Sequence, residues 1–211
     1  MAARTTRLPH ALRAENSKPA PPISHLPDRV RCHDDRVMAR IPILDETTAP
    51  PASLAVATTH EAAGSRMTNM KWTLAHAPEA LRALLEWYPL HERVAAFLGD
   101  RRATLFCHAI STEADCLICS TFFRRIIVDA GEDPDALGLD DDDELVVAFG
   151  MRLAHDAHDV DDELYGRLAA RYSDEQVVLL TAFGAIMLAT NVFNDALRVP
   201  LDAHLEPYRA R

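Results

Sequence analysis

The fold class is decided by residues 173–197, SDEQVVLLTAFGAIMLATNVFNDAL. Ser173 and Gln176 have the Ser-x-x-Gln spacing of a capping box, in which each side chain binds a free backbone amide at the start of a helix. The residues after Gln176 are apolar on nearly every side of a helix. We therefore expect a long helix that is either central in the fold or buried in an interface between subunits.

The segments before this helix show helical patterns as well. From Met67 onward, leucines recur at helical spacing, and Pro78 stands where a proline is tolerated in a first turn. Pro89 is expected to interrupt this pattern, and a second segment is expected from about Glu92 to Leu98. No β-hairpin pattern is visible, so the sequence predicts an all-α fold. Three more helices are expected: from Asp100 through Ile110, from Asp115 to about Ala130, and after the acidic residues Asp140 to Asp143.

Composition and charge limit the possible functions. The 211 residues carry a net charge of −10, and an acidic chain is a poor match for the phosphate backbone of a nucleic acid. No apolar run reaches the ~20 residues of a membrane span, so no membrane segment is expected. No Gly-rich phosphate loop is visible, and we expect no nucleotide or other bound cofactor.

The chain divides into a tail and a body. Residues 1–37 are rich in proline and lack a sustained apolar period, so they are expected to be a disordered or non-native extension, with Met38 as an alternative start. Residues 38–211 are expected to form one helical domain. The N-terminus has no apolar stretch typical of a secretory signal, and a cytoplasmic protein is expected.

Residues 100–125, DRRATLFCHAISTEADCLICSTFFRR, contain the strongest candidate for chemistry. If Cys116 begins a helix, the unpaired backbone N–H groups and the helix dipole there favour a thiolate. Cys119 follows three residues later on the same face, so the two sulfurs can form a reducible disulfide. A reactive thiolate beside a second thiol is what the reduction of a peroxide requires. The alternative is a pair of buried helical cysteines without a redox function.

His108 is the base closest to Cys116 in the sequence. On a helix it shares a face with Thr104 and Ser111, and this polar face is a candidate to meet the sulfurs if two helices fold against each other. His108 is therefore a candidate catalytic residue. The alternative is a hydrogen-bonded histidine of an ordinary helix.

Two sets of residues have the side chains of metal ligands, but neither has a favourable arrangement. Cys107 and His108 are adjacent and point about 100° apart on a helix, so they do not both reach a zinc ion held by the Cys-x-x-Cys pair. His155 and His158 lie among aspartates, a pattern that an acidic loop between helices also explains. No metal site is expected.

The region from about residue 38 to residue 208 resembles the carboxymuconolactone decarboxylase and alkylhydroperoxidase D-like superfamily. This resemblance implies an all-helical bundle that assembles into homo-oligomers, commonly trimers or hexamers. In the peroxidase branch it implies that Cys119 attacks the hydroperoxide, that Cys116 resolves it as a disulfide, and that an external thiol is the reductant. The resemblance rests on RIPILDETTAP (40–50), TLAHAPEALRALL (73–85), AISTEADCLICSTFFRRIIVDAG (109–131), SDEQVVLLTAFGAIMLATNVFN (173–194) and LEPYR (205–209).

Three positions depart from the pattern of the redox branch. Thr104 stands where that branch has a glutamate, and Ile118 and Phe123 stand where it has histidines. His108, one turn from Thr104, is our candidate for a substitute base. The leading hypothesis is a thiol-dependent hydroperoxide reductase or disulfide oxidoreductase. The alternatives are a non-catalytic helical oligomer that keeps the fold, and a lactone decarboxylase-like enzyme.

Overall fold

The computed structural model describes residues 38–210, and the extension predicted over residues 1–37 lies outside the described part. All regular structure in the described residues is helical, which confirms the predicted all-α fold. The elements are α1 (Pro51–Ala62), α2 (Asn69–Leu74), α3 (Pro78–Leu85), α4 (Trp87–Leu98), α5 (Asp100–Glu113), α6 (Leu117–Asp129), α7 (Asp141–His155), a 3-10 turn (Ala157–Asp159), α8 (Asp162–Arg171), α9 (Asp174–Leu197) and a second 3-10 turn (Ala203–Tyr208).

Two capping boxes set the starts of the longest helices. At α9, the backbone N–H of Gln176 donates to Ser173 Oγ at 3.3 Å, and that of Ser173 donates to Gln176 Oε1 at 2.9 Å, as predicted. At α7, Asp140 and Asp143 make the same reciprocal pair of bonds. The side chains thereby satisfy backbone donors that no helical carbonyl can reach.

The middle of the chain differs from the prediction in two places. The leucine pattern after Met67 is not one helix, because α2 ends at Leu74 and α3 begins at Pro78. Pro89 does not interrupt a helix but lies in the first turn of α4, where the missing N–H would have had no helical partner. Helices α1 and α8 were not predicted.

Helix α5 is central to the larger of the two buried apolar clusters, and it packs against α4, α6, α7 and α9. Its predicted apolar face is wholly buried, with Ala103, Phe106 and Ile110 each 0% exposed. The Phe106 ring stacks near Phe149 of α7 and Phe183 of α9, at centroid distances of 6.0 and 6.1 Å. This packing holds the C-terminal end of α5, and the α5–α6 connection that follows it, against the core.

Helix α9 is the one described helix that is long and apolar enough to cross a membrane, by length and composition alone. This corrects the expectation that no apolar run reaches that length. One face of α9 packs against α4 and α5, as in the core helix of a globular fold. The opposite face is open, since Val178 is 66% and Val192 is 65% exposed. The helix is therefore not enclosed within a single chain.

Candidate redox site

The connection between α5 and α6 fixes the position of the first cysteine. Helix α5 ends in a Schellman motif, in which the N–H of Asp115 donates to the carbonyl of Thr112 at 3.1 Å. The N–H of Cys116 donates to the carbonyl of Ser111 at 3.0 Å. Asp115 takes the left-handed φ of 57° that this motif needs. Cys116 is therefore both the end of the α5 cap and the N-cap of α6, which confirms that it begins a helix.

The two cysteines of the motif lie side by side. Cys119 is in the first turn of α6, three residues after the N-cap, and the two residues approach to 3.3 Å. Both are buried, with Cys116 0% and Cys119 5% exposed, and both are free thiols in this structure. A disulfide has a sulfur–sulfur distance of about 2.05 Å, so its formation needs only a local movement of the first turn.

The environment of Cys119 opposes ionisation at rest. Its pKa is raised well above the usual range, first by its hydrogen bond with Cys116 and then by burial. One contact acts in the other direction: Asn194 Nδ2 of α9 donates a hydrogen bond to Cys119 Sγ at 3.2 Å and lowers the pKa. The surroundings of Cys119 therefore favour its thiol form, although Cys119 lies in the first turn of a helix.

An open cleft with a volume of about 100 Å³ lies beside Cys119. Cys119 forms part of the wall, whereas Cys116 does not. Most of the other lining side chains are apolar, among them Met70, Leu74, Trp87, Ile118, Phe122 and Phe123.

Two of the three positions that depart from the redox-branch pattern lie in the cleft beside Cys119. Ile118 and Phe123 are part of the cleft wall, and Phe123 is 3% exposed. Thr104 is 8% exposed on α5 and does not line the cleft. Ile118 and Phe123 therefore make the surroundings of Cys119 more apolar and provide no proton acceptor there.

His108 has a different environment from the one that the sequence suggested. Burial lowers the pKa of His108, Arg124 lowers it further, and Asp135 raises it. Arg124 and Asp135 form a bidentate ion pair with N–O distances of 2.6 and 2.5 Å. His108 is not among the described residues that line the cleft. Its catalytic role stays a prediction.

The cleft also contains a cluster that the sequence did not reveal. Lys71 is 5% exposed, and its Nζ contacts His60 Nε2 at 2.8 Å, Tyr88 Oη at 2.7 Å and the carbonyl oxygen of Arg66 at 2.5 Å. Burial lowers the pKa of Lys71 to about 8, although Asp202 and Glu61 raise it. Lys71 and Tyr88 share the cleft wall with Cys119.

The described residues contain no group of three or more histidine, cysteine or acidic side chains placed to hold a metal ion. His155 Nδ1 instead lies 2.9 Å from Glu113 Oε1, and Asp156 and Asp161 cap the helical elements that follow them. The acidic segment is therefore accounted for by helix caps and one surface pair.

Comparison with solved structures identifies a similar fold. The chain matches the crystal structure of an alkylhydroperoxidase AhpD core, an uncharacterised peroxidase-related protein from Ralstonia eutropha, with a TM-score of 0.66. The match has 16% sequence identity and covers 79% of this chain and 94% of the other. No protein-family model matches the sequence, and no curated protein matches it.

This similarity confirms the alkylhydroperoxidase D-like helical fold that the sequence motifs predicted. At 16% identity, the structural similarity establishes the arrangement of the helices and does not identify a reaction. Function has to be argued from the side chains around Cys119.

Proposed function

We propose that this chain is a thiol-dependent hydroperoxide reductase in which Cys119 reacts with the peroxide and Cys116 resolves the product. The observation that carries the proposal is that Cys119 lies in the wall of an apolar cleft with a wholly buried Cys116 at 3.3 Å. The two roles follow from the access of the hydroperoxide to each sulfur, since Cys119 lines the cleft and Cys116 does not.

The proposed reaction has three steps. The sulfur of Cys119 attacks the terminal oxygen of the hydroperoxide, the O–O bond breaks, and a sulfenic acid and an alcohol form; the thiol proton ends on the alcohol. The sulfur of Cys116 then attacks the sulfur of Cys119 and displaces water, which leaves a disulfide. An external dithiol reduces that disulfide by thiol exchange and is itself oxidised.

The first test is the redox state of the pair. Purified protein is exposed to a slight excess of tert-butyl hydroperoxide, alkylated, and mapped by mass spectrometry with and without dithiothreitol. A bond between Cys116 and Cys119 that dithiothreitol reverses supports the proposal. Cysteines that are still fully alkylated after peroxide exposure contradict it.

Three serine variants separate the roles of the cysteines. In Cys116→Ser a sulfenic acid accumulates on Cys119 and is trapped by dimedone, whereas Cys119→Ser does not react with peroxide. Cys107→Ser is the matched control, because Cys107 is also a free, buried thiol but does not line the cleft. It should form the disulfide like the wild type.

His108 enters the proposal as the candidate base. Its lowered pKa keeps the imidazole neutral at neutral pH, as a proton acceptor must be. We predict that His108→Ala slows the ionisation of Cys119, measured as the pH dependence of alkylation by iodoacetamide. If the pH profile is unchanged, His108 has only its structural role beside Arg124 and Asp135.

One observation favours a second candidate, a helical oligomer without catalysis. Phe123 and Ile118 make the cleft beside Cys119 apolar, and the hydrogen bond with Cys116 and burial raise the pKa of the Cys119 thiol. Inert cysteines in the peroxide experiment would establish this alternative. A lyase activity that persists without both cysteines would instead indicate a lactone decarboxylase-like enzyme.

We also propose that the chain works as a homo-oligomer in the cytoplasm, with a hydroperoxide and an external thiol as its reaction partners. The open face of α9 supports assembly, because Val178, Ala182, Ala185, Ala189 and Val192 are all exposed on it. Their alternating spacings of four and three residues match the seam of two packed helices.

A further inference from the structure

Asn194 is a buried polar residue to which neither the sequence analysis nor the proposed reaction gives a role. It lies near the C-terminal end of α9, is 1% exposed, and forms part of the cleft wall. Its Nδ2 donates to Cys119 Sγ at 3.2 Å across 75 positions of sequence. The contact is therefore made by the tertiary fold.

The other half of the same amide has no partner among the described residues. Asn194 Oδ1 is buried and accepts no hydrogen bond. Most buried polar groups in folded proteins have a hydrogen-bond partner, so an unpaired acceptor is an exception. Because this oxygen belongs to a residue of the cleft wall, a bound molecule with a hydrogen-bond donor can satisfy it.

We propose that Asn194 is a catalytic residue that binds both reactants of the peroxide step, with Nδ2 on the sulfur of Cys119 and Oδ1 on the O–H of the bound hydroperoxide. This inference rests on the proposed function and assigns the site where the terminal oxygen of the substrate binds. The N and O atoms of one amide are only about 2.2 Å apart. A donor oxygen bonded to Oδ1 therefore lies within reach of the sulfur, at the roughly 3–3.5 Å of a reactive approach.

The amide keeps both contacts while the bonds change. As the sulfur attacks the terminal oxygen and the O–O bond breaks, the hydroperoxide hydrogen stays on that oxygen and becomes the hydrogen of the sulfenic acid. Oδ1 accepts this hydrogen before and after the transfer. Nδ2 stabilises negative charge on the sulfur after the thiol has lost its proton to the solvent, and the departing alkoxide takes a proton from the solvent to become the alcohol. No further reactant is needed in this step.

The test compares variants of two asparagines on the same helix. Asn194→Leu removes both hydrogen-bonding atoms at similar volume, and Asn194→Asp keeps an acceptor but loses the donor. Asn191→Leu is the matched control, because Asn191 is also 1% exposed with an unpaired amide but does not line the cleft. All variants carry Cys116→Ser, so that sulfenic acid formation with tert-butyl hydroperoxide is followed alone.

We expect Asn194→Leu to lower the rate constant for sulfenic acid formation about ten- to a hundredfold, even at a pH where Cys119 is fully ionised. The midpoint of iodoacetamide alkylation should move to higher pH in both Asn194 variants and stay unchanged in Asn191→Leu. If Asn194→Leu does not fold, the rate in Asn194→Asp at nearly unchanged volume is the test; its midpoint shift is expected to be larger than that of Asn194→Leu, because the carboxylate also repels the thiolate.

The outcomes separate the two proposals. Normal peroxide rates in both Asn194 variants overturn the role of Asn194 while the proposed function stands. A parent protein that does not react with peroxide at all overturns the proposed function and the role of Asn194 with it. A loss of rate that is equal in Asn194→Leu and Asn191→Leu overturns the role of Asn194, because it indicates a packing defect.

Discussion

The reactivity of Cys119 depends on how easily its thiol loses a proton. Burial and the hydrogen bond with Cys116 raise the pKa of Cys119, and one hydrogen bond from Asn194 lowers it. Charged neighbours within about 4–6 Å commonly move such a pKa by 1–3 units. A base introduced into the cleft wall should therefore have a large effect at this site.

We predict that Ile118→His activates Cys119. Ile118 stands between the two cysteines in the sequence, is partly exposed and lines the cleft beside Cys119. An imidazole at this position can accept the thiol proton of Cys119 and stabilise the thiolate. The rate of alkylation at pH 7 should rise about tenfold, which corresponds to a shift of about one pKa unit. The rate is measured with iodoacetamide and mass spectrometry.

The control for this variant is Leu117→His. Leu117 is the preceding residue of the same first turn, is also partly exposed, and does not line the cleft. It should leave the alkylation rate close to that of the wild type. Equal acceleration by both histidines would mean that general charge near α6, and not access to Cys119, controls the reaction.

For individual residues, the sequence predicted those features that depend on residues nearby in the chain. Cys116 as a helix start and Cys119 on the same face follow from local spacing. Asn194 and Lys71 were not predicted, because their contacts join distant parts of the chain: Asn194 reaches Cys119 from α9, and Lys71 contacts residues of α1 and α4. A single sequence contains no signal for such pairs.

Among the helices, the close approach of α7 to α5 depends on Gly150. A Cβ atom at this position would lie 3.0 Å from the carbonyl oxygen of Phe106 and 3.2 Å from Ile110 Cγ1. The nearest atom belongs to the backbone, so it cannot move aside as the end of a flexible side chain can.

We predict that Gly150→Ala lowers the free energy of unfolding by about 1–3 kcal/mol, the usual cost of overpacking a core. Gly166→Ala is the control, because Gly166 lies in α8 with no atom within 4 Å of its Cβ position. That substitution should stabilise the protein by about 0.4–1 kcal/mol, since alanine is the better helix former. Urea unfolding curves measure the free energy of unfolding of both variants. If Gly150→Ala is as stable as the wild type, α7 can shift away from α5.

Lys71 connects α2 with α1 and α4 through its contacts with His60 and Tyr88. The folded chain holds the Lys71 proton weakly, because burial lowers the pKa from 10.5 to about 8. Between pH 8 and 10.5 the unfolded chain therefore binds more protons at this site, and stability rises with pH across this window. Below pH 8 the site is protonated in both states, and its effect on stability is constant.

We predict that the wild type gains stability relative to Lys71→Met as the pH rises from 7 to 10.5. The gain should be up to about 3 kcal/mol, because one pKa unit corresponds to about 1.4 kcal/mol. Other titrating groups are common to both proteins and largely cancel in the difference. Urea unfolding at several pH values measures the difference in the free energy of unfolding between the two proteins. Arg82→Met, on the exposed surface of α3, is the control, and its difference from the wild type should not change with pH. A difference that does not change with pH would mean that Lys71 titrates normally in the folded chain.

The helices themselves were predictable where a helix start has its own side-chain signature. The capping box at Ser173 placed the start of α9 correctly. Pro89 was misinterpreted, because a proline inside a helix and a proline in its first turn differ only in where the helix begins. Helix α8 has only Leu164 and Leu168 buried, too short an apolar pattern to identify it within an acidic region.

For the molecule as a whole, the fold and the chemistry rest on different residues. The fold similarity to the alkylhydroperoxidase AhpD core needs only the helices and their packing, which sequences with 16% identity can share. The proposed reaction depends on a few side chains in one cleft, and three of the positions that carry bases in the redox branch here carry Thr104, Ile118 and Phe123. Asn194 is a polar contact of Cys119 to which the resemblance to that branch assigned no role.

The proposed homo-oligomer would cover the open face of α9. Five exposed residues on this face carry no charge. They lie four and three residues apart in turn, a pattern that repeats every seven residues: Val178, Ala182, Ala185, Ala189 and Val192. Small residues at such a seam allow two helices to approach closely. In the proposed homo-oligomer this face packs against the same face of a second copy, and burial between the copies removes apolar surface from water.

We predict that Ala185→Glu reduces the mass of the particle in solution, because it places a charge in the middle of this seam without touching the buried face of α9. Size-exclusion chromatography with light scattering measures the mass. Ala169→Glu, at an exposed alanine of α8, carries the same change of charge and should keep the wild-type mass. If Ala185→Glu keeps the mass as well, the copies associate through another surface or not at all.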